Sequence, residues 1–423
     1  MVTRSISIML SGPSVADARA PRCQTTTARA ALQPSMATAT RRRCPAARVS
    51  GTFPGCDRAR PSTPPDRALR SLHPLASGPL RRRTGSARSR EGTMTETMQA
   101  VVWNPAARAY EATSAPVPEP GPEDILVRVA AAALNPVDGK MQGRIPADAP
   151  PRALGYDACG EVLAVGAAVG GFAPGDRVWY AGAADRPGSF ATHQLVDHRL
   201  VARAPDGLED ADAAAIPLTA ITAWEALFDR LGYAPLAEGG QSERLLLING
   251  AGGVGSVALQ LAKLSGIAAT ATASRAETRD WCARMGAAEV IDHAALPDLG
   301  DASFGRILCA HDTDRYFDTM ARLVAPQGRI VSIVGTQEKH DLAPLFQKSA
   351  SFGWEFMFTR PVQRTPDMAR QGEILATVAR LFDEGRLHPT RTATFEGLTV
   401  ETIEAAQARL AEGRQIGKIA FLW

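Results

Sequence analysis

Three features of this sequence predict an α/β fold, a doubly wound parallel sheet joined to a β-rich domain. An apolar run, Leu245-Leu246-Leu247-Ile248, leads into Gly250-Ala251-Gly252-Gly253-Val254-Gly255 and then a helical pattern over 257–262. From Arg244 onward, strand-like and helix-like segments alternate, as a parallel sheet covered on both faces requires. Before that point, short strands separated by Pro- and Gly-rich turns suit a partly closed barrel rather than a parallel sheet.

Taken in order, residues 98–103 and 125–130 read as strands flanking a Pro-rich loop at 116–122. Further short strands follow at 160–165, 177–180 and 190–196, with Pro174-Gly175-Asp176 as a turn between two of them. Residues 211–215 and 219–231 look helical. Strand candidates then fall at 268–273, 289–291, 307–310 and 329–334, with helices at 276–285 and 316–323. The segments 367–385, 390–395, 400–411 and 418–422 leave the alternation, and the chain is read as returning to the first domain. The expected division is 1–93 as a disordered extension, 94–218 and 361–423 as the two parts of one domain, and 219–360 as the parallel-sheet domain.

The formal charge of +3 averages two unlike pieces. Residues 1–93 hold 17 Arg, no Lys and 4 acidic residues, which leaves 30 basic and 40 acidic residues for the rest. That acidic body argues against nucleic acid as a partner. The head lacks apolar periodicity and is set aside from the fold; a start codon assigned too early, an organelle transit peptide and a basic tail are its three readings. None of the six Cys forms a C-x-x-C pair, so neither a disulfide framework nor a zinc knuckle is indicated, and a reduced, cytoplasmic setting is expected. No apolar stretch reaches the roughly 18 residues of a membrane helix.

A glycine turn between a buried strand and a helix lets backbone approach a pyrophosphate, and the helix N-terminus offers unpaired N–H groups to it. Gly250, Gly252, Gly253, Val254 and Gly255 are therefore assigned to a dinucleotide. The next strand ends Ala273-Ser274-Arg275 with no carboxylate for a ribose 2′-hydroxyl. Ser274, Arg275 and, one helical turn on, Arg279 suit a 2′-phosphate instead, so NADPH is expected over NADH.

The motifs Asn135-Pro136-Val137-Asp138, Leu154-Gly155-Tyr156-Asp157, Pro174-Gly175-Asp176-Arg177-Val178-Trp179-Tyr180 and Asp185-Arg186-Pro187-Gly188-Ser189 complete the picture. So do Thr222-Ala223-Trp224-Glu225, Trp354-Glu355-Phe356-Met357-Phe358-Thr359-Arg360 and Ile416-Gly417-Lys418-Ile419. With these, residues 98–423 resemble the medium-chain dehydrogenase/reductase superfamily on its quinone oxidoreductase (zeta-crystallin-like) side, nearest its zinc-type alcohol dehydrogenase-like subgroup. The resemblance implies a chaperonin-10-like (GroES-like) catalytic domain enclosing a Rossmann domain, with the active site between them, and a homodimer.

In zinc relatives a Cys and a His stand where this chain has Asn135 and Tyr156. An amide and a phenol replace thiolate and imidazole poorly, so no metal is expected. A site improvised from Asp138, Asp157, Cys159 and His193 is the weaker alternative. By resemblance, Asn135, Asp138 and Tyr156 line the cleft. Asn135 is expected to donate to a substrate oxygen and Tyr156 to bond or protonate it, while Asp138 either orients neighbours or caps a helix. Thr222 and Gly335 are expected beside the cofactor. The expected activity is NADPH-dependent reduction of a quinone or α,β-unsaturated carbonyl. A non-catalytic NADPH binder (crystallin-like or RNA-binding) and a zinc alcohol dehydrogenase are the alternatives. His193, His198, His293 and His311 read as polar surface or loop, Cys159 and Cys282 as small buried residues, and the aromatic cluster at 352–358 as core, although the resemblance places that region close to the active site.

Overall fold

Two large sheets and a small one organise residues 96–423 without Glu238, the residues this computed structural model describes. The readings of 1–93 lie outside them. The first strands are β1 (Thr97–Asn104), β2 (Ala109–Pro116), β3 (Asp124–Leu134), β4 (Arg152–Ala153), β5 (Asp157–Val165), β6 (Arg177–Tyr180), β7 (His193–Asp197) and β8 (Val201–Arg203). β1 pairs antiparallel with β2 and β4, and β3, β5, β6 and β8 follow one another in an antiparallel sheet, with β7 also on β3.

The second large sheet is wholly parallel. It contains β9 (Leu245–Ile248), β10 (Ala269–Thr272), β11 (Glu289–Ile291), β12 (Phe304–Cys309), β13 (Val324–Ser332) and β14 (Ser351–Trp354), in the order β11-β10-β9-β12-β13-β14. All four residues of β9 are buried, which is why its sequence is an unbroken apolar run rather than an alternation. The helix Gly253–Leu264 that follows buries Val257, Ala258, Leu259, Leu261 and Ala262. Each large aliphatic side chain so buried contributes about 1.5–3 kcal/mol. The last strands, β15 (Arg391–Glu396) and β16 (Lys418–Leu422), join the first sheet, where β16 runs antiparallel to β3. The chain end thus pairs with β3, while β1 lies in the small sheet.

Several elements differ from expectation. The helix expected over 219–231 is Pro217–Trp224, with Pro217 at its first turn, and it widens into a π-helical turn over Glu225–Arg230. The aromatic segment read as core contains the edge strand β14, and Trp354 and Phe356 are each 43% exposed. His193 was read as surface but lies buried on β7, where the pairing with β3 covers it. Cys159 and Cys282 are buried, as expected.

Gly255 shows why the turn needs glycine. A methyl group there would lie 2.5 Å from the carbonyl oxygens of both Asn249 and Gly250, so the helix could not seat against the strand end. Gly255→Ala is expected to cost about 1–3 kcal/mol through this overpacking. Urea unfolding checks it, and an unchanged midpoint would contradict the account.

Candidate active site

A cleft of about 1020 Å³ runs past the ends of β3, β9, β10, β12 and β13. Of the residues singled out from sequence, Asn135, Thr222, Gly252, Gly253, Val254, Gly255, Ser274, Arg275 and Gly335 line it. Asp138, Tyr156, Gly250 and Arg279 do not.

The glycine turn is shaped by a residue that sequence reasoning passed over. Asn249, at the end of β9, takes φ +71°, a left-handed conformation that Asn tolerates better than most side chains. Its N–H donates to Thr272 Oγ1 at 2.9 Å, locking the turn to β10. Gly250 has a packing role: a Cβ there would meet Ala271 Cβ at 2.8 Å and Cys282 Sγ at 2.9 Å. The first bond of the following helix runs from Ser256 N–H to Gly252 O, 2.8 Å. The N–H groups ahead of it therefore point forward, ready for an anion. Around Gly335 the space within 4 Å of a built Cβ is empty. Thr222 Oγ1 donates to Leu218 O at 2.7 Å, so its hydroxyl turns only acceptor lone pairs to the cleft. These features fit a dinucleotide.

At the junction of the two large sheets lies Lys418, whose side chain is 4% exposed. Its ammonium donates to Leu134 O (2.9 Å), Asn135 Oδ1 (2.5 Å) and Asp157 Oδ2 (2.9 Å), so all three protons are used. Asp157 is fully buried and also accepts from Asn135 Nδ2 at 2.8 Å and from the Leu218 N–H at 2.6 Å. The stem of Lys418 packs where a Cβ on Gly253 would lie 2.9 Å from its Cδ. Sequence reasoning missed both charged residues as a pair. It also gave the Asn135 amide to a substrate oxygen, whereas the amide is engaged by Lys418 and Asp157. Its remaining contact, Nδ2 to Ala133 O, is 3.5 Å.

Asp138 is a helix cap. Its Oδ2 accepts from the Asn135 N–H at 2.6 Å at the start of the helix Pro136–Gln142. Burial pushes its carboxyl up to about 7, against the pull of the Asn135 N–H and Lys418. Tyr156 is 2% exposed, and its hydroxyl has no hydrogen-bond partner among the described residues. Its ring sits behind Phe358, centroids 4.6 Å apart, and burial with the nearby Asp138 carboxyl holds the phenol far above its usual range. It therefore does not reach a substrate oxygen as expected. β5 begins at Asp157, and neighbouring strand residues face opposite ways, so Asp157 rather than Tyr156 turns toward the cleft floor.

The cleft wall includes Trp354, Phe356, Met357 and Phe358, of which Met357 and Phe358 also belong to the core, as expected. It is held from behind by ion pairs. Arg360 meets Glu225 (2.5 Å), Asp229 (3.0 Å) and Asp367 (3.0 Å), and Arg230 meets Glu355 at 3.0 Å. Burial, and the Glu225 carboxyl beside it, hold Glu355 well above the usual carboxylate range. His293 and His311, read as surface or loop, also line the cleft, beside Tyr316.

At the other end, Ser274 Oγ donates to Asp292 Oδ1 at 3.1 Å. The carboxylate absent from the end of β10 thus comes close through space from the end of β11, although Asp292 itself does not line the cleft. Arg275 lines it while pairing with Glu277 (2.8 Å) and donating to Arg414 O (2.8 Å). Arg279 is turned away, donating to Val290 O at 3.1 Å.

The chain matches the alcohol dehydrogenase GroES-like domain over residues 121–206 and the zinc-binding dehydrogenase family over 285–420. It is 43% identical over 309 residues to a zinc-type alcohol dehydrogenase-like protein of Staphylococcus aureus (strain MSSA476), covering 71% of this chain and 91% of that one. It is 36% identical over 236 residues to the chloroplastic NADPH-dependent alkenal/one oxidoreductase of Arabidopsis thaliana, covering 52% and 57%. The quinone oxidoreductase structure from Coxiella burnetii superposes with a TM-score of 0.65 at 25% identity, over 78% of this chain and all of that one. A parallel Rossmann-like sheet beside a GroES-like domain, with a glycine turn at the cleft, defines a nicotinamide-dependent oxidoreductase. The chain belongs to the medium-chain dehydrogenase/reductase superfamily.

The zinc in those family names does not fit this site. The donor set is an amide, a buried phenol and a carboxylate already paired with an ammonium. The weaker alternative is not assembled either: Cys159 Sγ faces Asp210 at 3.5 Å, and His193 Nδ1 faces Thr192 Oγ1 at 3.1 Å.

Two outcomes follow from the buried charges. Lys418→Met, which leaves Asp157 uncompensated, is expected to cost about 3–5 kcal/mol, and Lys418→Met/Asp157→Asn is expected to recover much of that. Urea unfolding of both variants checks it; an equal loss in the two would show that the pair is not the source. Because the folded Asp138 carboxyl titrates near 7 and its unfolded counterpart near 3.9, the folded state binds the extra proton between them. Its contribution to stability is thus full below about pH 4 and is lost as pH rises through about 7. Asp138→Asn is expected to flatten that part of the stability–pH curve, measured by urea midpoints from pH 4 to 8.

Proposed function

We propose that this oxidoreductase reduces quinones or α,β-unsaturated carbonyls with NADPH and without a metal ion. The observation that carries the reading is the cleft floor. Where zinc relatives place ligands, Lys418 already engages Asn135 and Asp157, and Tyr156 lies out of reach. The aromatic wall of Trp354, Phe356 and Phe358 suits a flat, apolar acceptor. The Arabidopsis alkenal/one oxidoreductase and the Coxiella quinone oxidoreductase lend support to this substrate class.

Bound NADPH would supply the hydride; the chain's residues bind and orient. The forward N–H groups of Gly253 to Gly255 would hold the pyrophosphate. The acceptor lone pairs of Thr222 suit an amide N–H of the nicotinamide, and the open space at Gly335 admits its ring. Lys418 and Asp157 keep the floor rigid. Tyr156 is too deeply placed to hand over a proton, so the proton that completes the reduction is assigned to solvent.

Arg275 supports NADPH over NADH, because it lines the cleft while Asp292 does not. A charge-assisted hydrogen bond to a phosphate contributes about 1.5–3 kcal/mol, roughly tenfold or more in affinity. The wild type is therefore expected to favour NADPH with 9,10-phenanthrenequinone or an enone. Arg275→Ala is expected to raise KM for NADPH about tenfold and leave that for NADH nearly unmoved. Steady-state kinetics with both cofactors tests this, and equal or better kcat/KM with NADH in the wild type would overturn it.

A further inference from the structure

Two cations on the cleft wall have no role in the account so far. Lys140 and Arg144, one turn apart on and just after the helix Pro136–Gln142, both line the cleft and both are exposed. Neither makes a side-chain hydrogen bond or ion pair among the described residues; Arg315, a further cation lining the cleft, lies over the Tyr316 ring at 5.2 Å from its centroid. Arg275 pairs with Glu277, Arg152 donates to Ala184 O at 3.1 Å, and Arg360 meets three acids.

Like charges at this spacing repel, so the pair is a local cost. Partial burial and the neighbouring Arg144 draw the Lys140 ammonium below its usual range. The acid nearest in effect is Asp312, whose Oδ1 already accepts from the Arg315 N–H at 3.1 Å as a helix cap. Glu355, the other acidic residue on the wall, has a side chain with no exposure and meets Arg230 behind it.

The position of the pair separates it from the cofactor's phosphates. The helix Pro136–Gln142 is capped by Asn135, whose amide meets Lys418 and Asp157 at the cleft floor. The cations therefore enter the cleft from the segment that follows β3, on the side of the antiparallel sheet. The pyrophosphate turn is at Gly252–Gly255, and the 2′-phosphate position is at Arg275. We propose that the cleft takes acceptors bearing an anionic oxyacid group, bound by Lys140 and Arg144 while their flat apolar part lies on Trp354, Phe356 and Phe358. This deepens the reading of an enone or quinone reductase and rests on it. A carboxylate and a phosphate monoester share the required chemistry.

The test compares 4-phenyl-3-buten-2-one with its ring-para carboxylate and ring-para phosphate ester, using the full chain and NADPH. The wild type is expected to show KM at least tenfold lower for one or both charged acceptors than for the neutral one. In Lys140→Ala/Arg144→Ala, and in 0.5 M salt, that ratio is expected to fall to near one. Preference for the carboxylate alone or the phosphate alone identifies the group. A ratio near one in the wild type overturns the proposal. So does a double variant whose loss appears in KM for NADPH while the acceptor ratio stays unchanged. If no acceptor is turned over, the reductase reading falls. Equilibrium dialysis of the same three compounds against NADP⁺-loaded protein then decides the site: charge-selective binding lost in the double variant upholds it, and equal binding overturns it.

Discussion

The buried contact between Lys418 and Asp157 is the constraint on which the site depends. An ammonium and a carboxylate taken out of water face a desolvation penalty of several kcal/mol each, and only near-complete hydrogen bonding offsets it. Here the completeness is visible. Lys418 uses three donors, and Asp157 accepts from Lys418, Asn135 and the Leu218 N–H. Each partner comes from a different segment: the end of β3, the start of β5, the head of the helix Pro217–Trp224, and β16. The pair is weak evidence for stability in itself, but it permits few arrangements of those four segments. The bridge between Gly417 and Gly252, one residue before Lys418, ties the pyrophosphate turn to the same point. The pairing of the chain end with β3 thus positions the glycine turn against the cleft floor.

A second charged centre does similar work for the opposite wall. The π-helical turn over Glu225–Arg230 brings Glu225, Asp229 and Arg230 toward the segment 355–367, where Arg360 and Glu355 answer them. A regular helix would rotate these side chains differently, and π turns recur where a helix must present a functional face. The same helix carries Thr222 into the cleft one turn earlier. The aromatic wall and the Thr222 hydroxyl are therefore set by one element. Gln371, buried, donates to Met357 O at 2.5 Å and extends that restraint to the helix Arg370–Asp383.

What could be read in the sequence was what local periodicity encodes. The helices Ala276–Met285 and Val400–Ala411 and the strands β6, β11 and β16 fall on the residues expected. The strand–glycine–helix order was legible because its three parts are contiguous and each is dictated by backbone sterics. The cleft floor was not, because Lys418 and Asp157 are 261 residues apart and no spacing rule connects them. The motif Leu154-Gly155-Tyr156-Asp157 drew attention to the residue at the metal-ligand position, while the onset of β5 turns the next residue inward. A signal was available: a lone lysine within the apolar β16 has to find a buried counter-charge. The exposure of Trp354 and Phe356 is not carried by periodicity, since an aromatic run reads as core unless the edge position of its strand is known.

These placements divide the cleft by charge. At the floor the Lys418 ammonium is neutralised by Asp157 at 2.9 Å, so the field it adds at the nicotinamide end is that of a short dipole, falling off quickly. At the wall, Lys140 and Arg144 lack such a neighbour among the described residues. Unit charges about 4 Å apart interact by about 4 kcal/mol at the effective dielectric of a protein surface, so an uncompensated pair outweighs a compensated one over the same distance. The polarity of the cleft is thus set by the helix Pro136–Gln142 rather than by the buried lysine. An acceptor that aligned its negative end with that helix would bring its apolar body along the aromatic wall. Under the proposal made above, those charges would select and orient the acceptor, while the floor, closed by hydrogen bonds, contributes rigidity.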